Sequence, residues 1–102
     1  MRKIYFHPEA ETEMLKAAIY YESQQPDLGK RFLSCVQSGI NGIQINPFLY
    51  PIIEFDHKIS VRRCLTKTFP FGILFSLTSN QIIIMAIMNL HRNPNYWEER
   101  GL

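Results

Sequence analysis

Between Asp56 and Glu98 this 102-residue chain contains no Asp or Glu, although Lys58, Arg62, Arg63, Lys67 and Arg92 all fall inside that interval. The lack of acids excludes a carboxylate pair there for acid–base or metal chemistry, and with neutral histidines it leaves the interval at +5. Residues 1–56 run the other way, with seven acids (Glu9, Glu11, Glu13, Glu22, Asp27, Glu54, Asp56) against five bases (Arg2, Lys3, Lys16, Lys30, Arg31). The net charge of +2 therefore hides a polarity. Unopposed Lys and Arg in one segment focus positive potential, so an anionic partner such as nucleic acid is expected.

Cysteine is scarce as well. Cys35 lies in a helical pattern and Cys64 in a strand pattern, which is too little for a disulfide framework and predicts two reduced residues packed in the core. His7, His57 and His91 stand singly, no Cys/His pair has zinc spacing, and there is no Gly-rich phosphate loop, so neither metal nor cofactor is expected. No apolar run reaches membrane-spanning length. The N-terminus passes from Arg2-Lys3 to Tyr5-Phe6-His7-Pro8 without an apolar signal region, so a cytoplasmic protein with no membrane partner is expected. Repeats and low-complexity tracts are absent too, and 46% hydrophobic residues suffice for one core, so residues 1–102 are expected to form a single domain.

What is present reads as α+β. Lys3-Ile4-Tyr5-Phe6 is a short run of β-formers closed by His7-Pro8. Pro8 suits the first position of a helix, and Glu9, Glu11 and Glu13 place negative charge at the positive end of its dipole. Ala10, Met14, Ala17, Ala18 and Tyr21 then recur at helical spacing up to about Ser23. Gln24-Gln25-Pro26 breaks the pattern. Asp27 is the expected N-cap of a second helix with apolar positions Leu28, Phe32, Cys35, Val36, Ile40 and Ile43, and so short a link predicts an antiparallel helical hairpin. Gly39 and Gly42 point either to close packing against a sheet or to a fraying end. Asn46-Pro47 stops the helix, and 47–53 is expected to be an apolar loop that caps the core.

From Ser60 the period becomes two. Val61, Arg63, Leu65 and Lys67 point one way and Arg62, Cys64 and Thr66 the other. Phe71, Ile73, Phe75 and Leu77 alternate with Gly72, Leu74, Ser76 and Thr78, Ser79-Asn80 makes a tight turn, and 82–88 is apolar on both faces. The expected fold is thus an N-terminal strand, an antiparallel helical hairpin and a three-stranded antiparallel meander, β-α-α-β-β-β, followed by a helical turn over 95–100. The second apolar face of the last strand suggests a partner chain.

Arg62, Arg63, Lys67, His91, Arg92 and Tyr96 fall on adjacent strands or their ends. Cleavage of RNA by its own 2′-hydroxyl needs a base, cations for the pentavalent phosphate and a donor for the leaving oxygen. His91 or Lys67 suits the base, Arg62 and Arg92 the cations, and Tyr96 or His91 the acid. The plainer alternative is structural or purely binding. Arg62, Arg63, Lys58, Lys67 and Arg92 then form a cationic contact surface, His91 bonds a neighbouring loop, and Tyr96 and Trp97 pin the C-terminal turn.

The words His7-Pro8-Glu9-Ala10, Ala18-Ile19-Tyr20-Tyr21-Glu22, Leu28-Gly29-Lys30-Arg31-Phe32, Asn46-Pro47, Tyr50-Pro51, Val61-Arg62-Arg63, Phe69-Pro70-Phe71 and His91-Arg92-Asn93-Pro94-Asn95-Tyr96-Trp97 follow one another along nearly the whole chain. In that order and spacing they resemble the RelE/ParE superfamily of bacterial toxins. The resemblance implies the toxin of a type II toxin–antitoxin (plasmid stabilisation) pair, held in a hetero-oligomer by a small antitoxin that wraps the sheet and helical hairpin. ParE-like members bind and poison DNA gyrase; RelE-like members cut mRNA in the ribosomal A site. Tyr20-Tyr21-Glu22 and Leu28-Gly29 look more like ParE, and Phe71 and Phe75 stand where RelE-like members often carry tyrosine, which argues against RNA cleavage. His91, Arg92 and Tyr96 argue for it. A degenerate toxin acting only as a binding module is the third expectation.

Overall fold

The computed structural model describes residues 1–56 and 59–91, and at residues 55 and 56 the backbone alone. His57, Lys58, Arg92, Tyr96, Trp97 and the helical turn expected over 95–100 lie outside the described residues. Strand β1 (Lys3–Phe6) leads into helix α1 (Pro8–Gln24), where Pro8 takes a first-turn position and Nδ1 of His7 accepts from the backbone N–H of Glu9 at 3.1 Å. The ring nitrogen satisfies one of the N–H groups that a helix start leaves without an internal partner.

Helix α2 (Leu28–Ile45) folds back on α1, but Asp27 does not cap it. Asp27 has φ of 69° and makes no side-chain cap bond. Glu22 of α1 does the work from across the hairpin: its two carboxylate oxygens accept from the N–H groups of Asp27 at 3.0 Å and Gly29 at 3.1 Å. A left-handed aspartate stores strain that glycine lacks, whereas a carboxylate on two N–H groups at a helix start is favourable. Glu22→Ala is therefore expected to lower stability by about 1 kcal/mol, and Asp27→Gly to leave it unchanged or raise it slightly. Urea melts of both variants check this, and the reverse ranking would return the cap to Asp27.

A short 3₁₀ turn (Pro47–Leu49) follows, and then strands β2 (Ile52–Asp56), β3 (Ile59–Leu65), β4 (Phe71–Leu77) and β5 (Gln81–Asn89). The sheet has five strands in the order β1-β5-β4-β3-β2, with β1 parallel to β5 and every other pair antiparallel. The class is α+β as expected. The three-strand meander is corrected to four strands, and the N-terminal strand adds a parallel edge. Strand β2 was hidden because it is only five residues long, Pro51 precedes it and its first two residues read as the end of the apolar loop. Its pairing with β3 shifts register between Ile52 and Glu54, and both Ile52 and Ile53 remain exposed on this edge. Such a strand is made by its partner rather than by its own pattern.

Both helices cover one face. There Phe32, Val36, Ile40 and Ile43 of α2 meet Cys64, Phe71, Ile73, Phe75, Ile82, Ile84 and Ile87. Gly39 allows that contact, since a Cβ there would stand 2.7 Å from Cδ1 of Ile73, and Gly42 makes room for the residue after the 3₁₀ turn, since a Cβ there would stand 2.5 Å from the Tyr50 hydroxyl. Close packing, not fraying, accounts for both. On the opposite face Val61, Leu74, Met85, Ala86 and Met88 form a second buried cluster that contains no helix residue. A bulge creates it. Leu74 pairs with Ala86 while Phe75 pairs with Ile84, so Met85 is the extra residue and the two-residue period of β5 changes phase there. Ile87 consequently joins Ile82 and Ile84 on the helix side. Cys35 and Cys64 are both free thiols. No helix among the described residues is long and apolar enough to cross a membrane.

Candidate functional site

The alternation of β3 sends its two arginines to opposite faces. Arg62 shares parity with Cys64 and lies opposite Phe75, both in the helix-side cluster. Its Nη1 donates to the Tyr50 carbonyl at 2.7 Å, and its guanidinium carbon stands 5.2 Å from the centre of the Phe48 ring. Arg63 lies opposite Leu74 on the other face. Its stem crosses Gly72, where an added Cβ would come within 3.2 Å of Cδ of Arg63 and 3.5 Å of Leu90.

Arg63 carries the oddest feature of the molecule. Its Nε is buried and has no hydrogen-bond partner among the described residues. A guanidinium keeps its charge and all five of its N–H groups at any physiological pH, and an unsatisfied buried donor costs about 1–3 kcal/mol.

Lys67 and His91 flank the same end of the sheet. Lys67 is exposed on the β3–β4 turn, which is stiffened by Oγ1 of Thr66 donating towards the carbonyls of Phe69 and Phe71, at 2.8 and 3.1 Å. Thr68, beside Lys67, has φ of 74°, an uncommon conformation for a β-branched residue. The N–H of Leu90 donates to the Pro70 carbonyl at 2.9 Å, which ties the end of β5 and the exposed His91 to that turn. Around it Leu65 and Leu90 are 55% and 40% exposed. Arg63, Lys67 and His91 thus border one cationic, partly apolar sheet end, and Arg62 is held away from it. The roles expected of Lys58, Arg92 and Tyr96 fall outside the described residues.

The remaining polar chemistry is muted. Burial pushes the Cys64 thiol above its usual range while the neighbouring Tyr50 hydroxyl pulls it back, and burial together with Cys64 raises Tyr50. A buried, protonated thiol on the face opposite Arg63 is a packing residue, not a nucleophile. Phe71 and Phe75 belong to the helix-side core, on the face opposite Arg63. Among the described residues no group of three His, Cys, Asp or Glu side chains is placed to hold a metal ion.

Two features escaped the sequence. The apolar cluster on the second face is already buried within the chain, at 0–4% exposure, and so does not by itself require a partner. The orphan Nε of Arg63 had no sequence signal at all, since Arg62 and Arg63 differ only in parity. Compared with known proteins, the chain matches no family model and no curated protein.

Proposed function

We propose that this chain is the toxin of a type II toxin–antitoxin pair and that it is ParE-like, arresting growth by binding a cellular target, with DNA gyrase as the first candidate. The observation that carries this reading is Arg63, whose buried, unpartnered guanidinium N–H sits at a cationic sheet end beside exposed Leu65 and Leu90. A half-buried arginine with no carboxylate partner among the described residues and with apolar neighbours suits a protein carboxylate, because charge-assisted bonds to guanidinium are the strong ones. The helical hairpin adds Leu15 and Ile19, one turn apart on α1 and 47% and 70% exposed, as apolar anchors for an antitoxin that wraps sheet and hairpin.

The RelE-like alternative, a ribosome-dependent mRNA endonuclease, needs His91, Arg62, Lys67 and Arg92 around one phosphate, and of these Arg92 lies outside the described residues. Arg62 instead lies on the helix side beside Tyr50 and Phe48, away from the sheet end bordered by Lys67 and His91, which favours binding over cleavage. Induced expression followed by parallel measurement of protein synthesis, plasmid supercoiling and the SOS response tests the choice. Disturbed supercoiling and SOS induction with continuing translation are expected. An early stop in translation with cleaved transcripts would replace this reading by the nuclease, and absence of any growth arrest would leave the degenerate binding module.

A further inference from the structure

Away from the Arg63 sheet end, two guanidinium groups converge on one ring. Arg2 and Arg62 place their guanidinium carbons 5.5 and 5.2 Å from the centre of Phe48. Residues far apart in sequence achieve this because Arg2 precedes β1, Phe48 lies in the 3₁₀ turn after α2, and Arg62 is in β3. The arrangement is fastened in three places. Nε of Arg2 donates to the Thr78 carbonyl at 3.0 Å, Nε2 of Gln44 donates to the Arg2 carbonyl at 3.0 Å, and Nη1 of Arg62 donates to the Tyr50 carbonyl at 2.7 Å.

Each arginine spends one donor on a backbone carbonyl and keeps the rest of its fork. Neither forms an ion pair with a carboxylate of the described residues; the pair that is formed there joins Lys30 to Asp27 on the surface. The Phe48 ring, 60% exposed, offsets part of the repulsion between them. A cleft of about 400 Å³ opens beside Arg62, its wall including Phe48, Ser60, Arg62 and Thr78 and, among the described residues, no acid; Arg2 is not in that wall but adjoins it through the Thr78 carbonyl and the Phe48 ring. Ser60 shares the parity of Arg62 on β3 and supplies a hydroxyl there.

We infer that this cleft is a binding site for a phosphate monoester, held by the guanidinium fork of Arg62 and the Ser60 hydroxyl in its wall and by the fork of Arg2, which adjoins it across Thr78 and Phe48. Two cations match the charge of about −1.5 to −2 that a phosphate monoester carries near neutral pH, and its three terminal oxygens accept from several donors at once. A lone carboxylate would satisfy only one of the two forks. The phosphate can be carried on a nucleic-acid end or be free in solution, and the chemistry at the cleft is the same. The site does not depend on the toxin reading or on Arg63.

The test titrates the full chain with a short single-stranded oligonucleotide bearing a 5′-phosphate, with the same oligonucleotide ending in a 5′-hydroxyl, and with inorganic phosphate. The 5′-phosphorylated strand is expected to bind at least about tenfold tighter than the hydroxyl form, because the phosphate recruits both forks. Arg2→Ala and Arg62→Lys should each erase most of that difference, the latter keeping the charge while losing the fork. Arg31→Ala, an equal change of charge at an exposed position on α2, should leave it intact. Competition by inorganic phosphate as strong as that of the strand identifies free phosphate as the ligand; weaker competition identifies the nucleic-acid end. Equal affinity for the two strands, or an Arg62→Lys chain that melts and binds like the parent, would overturn the site.

Discussion

On the proposed toxin reading, Arg63→Met is expected to abolish growth arrest while leaving the isolated chain at least as stable as the parent. Methionine keeps the apolar stem that lies across Gly72 and against Leu90, and it removes the buried Nε that has no acceptor. Deleting an unsatisfied donor relieves a penalty, so a gain of up to about 1 kcal/mol in urea unfolding is expected. Binding moves the other way. A charge-assisted bond from the guanidinium to a partner is worth about 1.5–3 kcal/mol, which predicts a loss of roughly 10- to 100-fold in affinity for whatever the sheet end contacts. Arg63→Lys should be intermediate, holding the charge without the fork. The opposed signs separate a binding role from a structural one, because a structural arginine would lose stability and function together. Growth arrest at the parental level in Arg63→Met cells would remove Arg63 from the working surface.

Phe32→Ala carries the largest expected loss of stability. Phe32 is fully buried, and its ring centre stands 5.4 Å from those of Tyr21 and Phe69 and 4.9 Å from that of Phe71. That one ring joins both helices to the β3–β4 turn and to β4. Truncation removes its transfer energy and leaves a cavity that rigid neighbours fill poorly, costing about 3–5 kcal/mol. Since a domain of this kind is stable by about 5–15 kcal/mol, the variant should melt far below the parent and sit close to unfolding. Phe32→Leu, which fills much of the space, should recover more than half of the loss. Thermal and urea melts decide it, and a drop below 1 kcal/mol for Phe32→Ala would mean that the aromatic cluster does not hold the helices on the sheet. The turn displaying Lys67 rests on Phe69 of this cluster, so the same substitution should also loosen the end bordered by Lys67 and His91.

Local pattern alone was enough for the helical hairpin, for strands β1, β3, β4 and β5, for the turn at Ser79-Asn80 and for the α2 residues that face the sheet. Each is written in a period of 3.6 or 2, in proline position or in turn chemistry, and needs no distant residue to be expressed. The same period told that Arg62 and Arg63 must part company, since neighbours on a strand point to opposite faces.

Which face each arginine received, and what it met there, was decided only by the tertiary structure. Strand β2 exists because β3 offers it an edge, the parallel pairing of β1 with β5 joins residues almost eighty positions apart, and the bulge at Met85 resets the phase of β5. Glu22 displaces Asp27 as the cap of α2 because the helix crossing brings its carboxylate to the right N–H groups. Arg2, Phe48 and Arg62 share no sequence neighbourhood at all. A sequence records what each residue prefers, whereas partners at long range are selected by the packing of faces whose register only the folded sheet fixes.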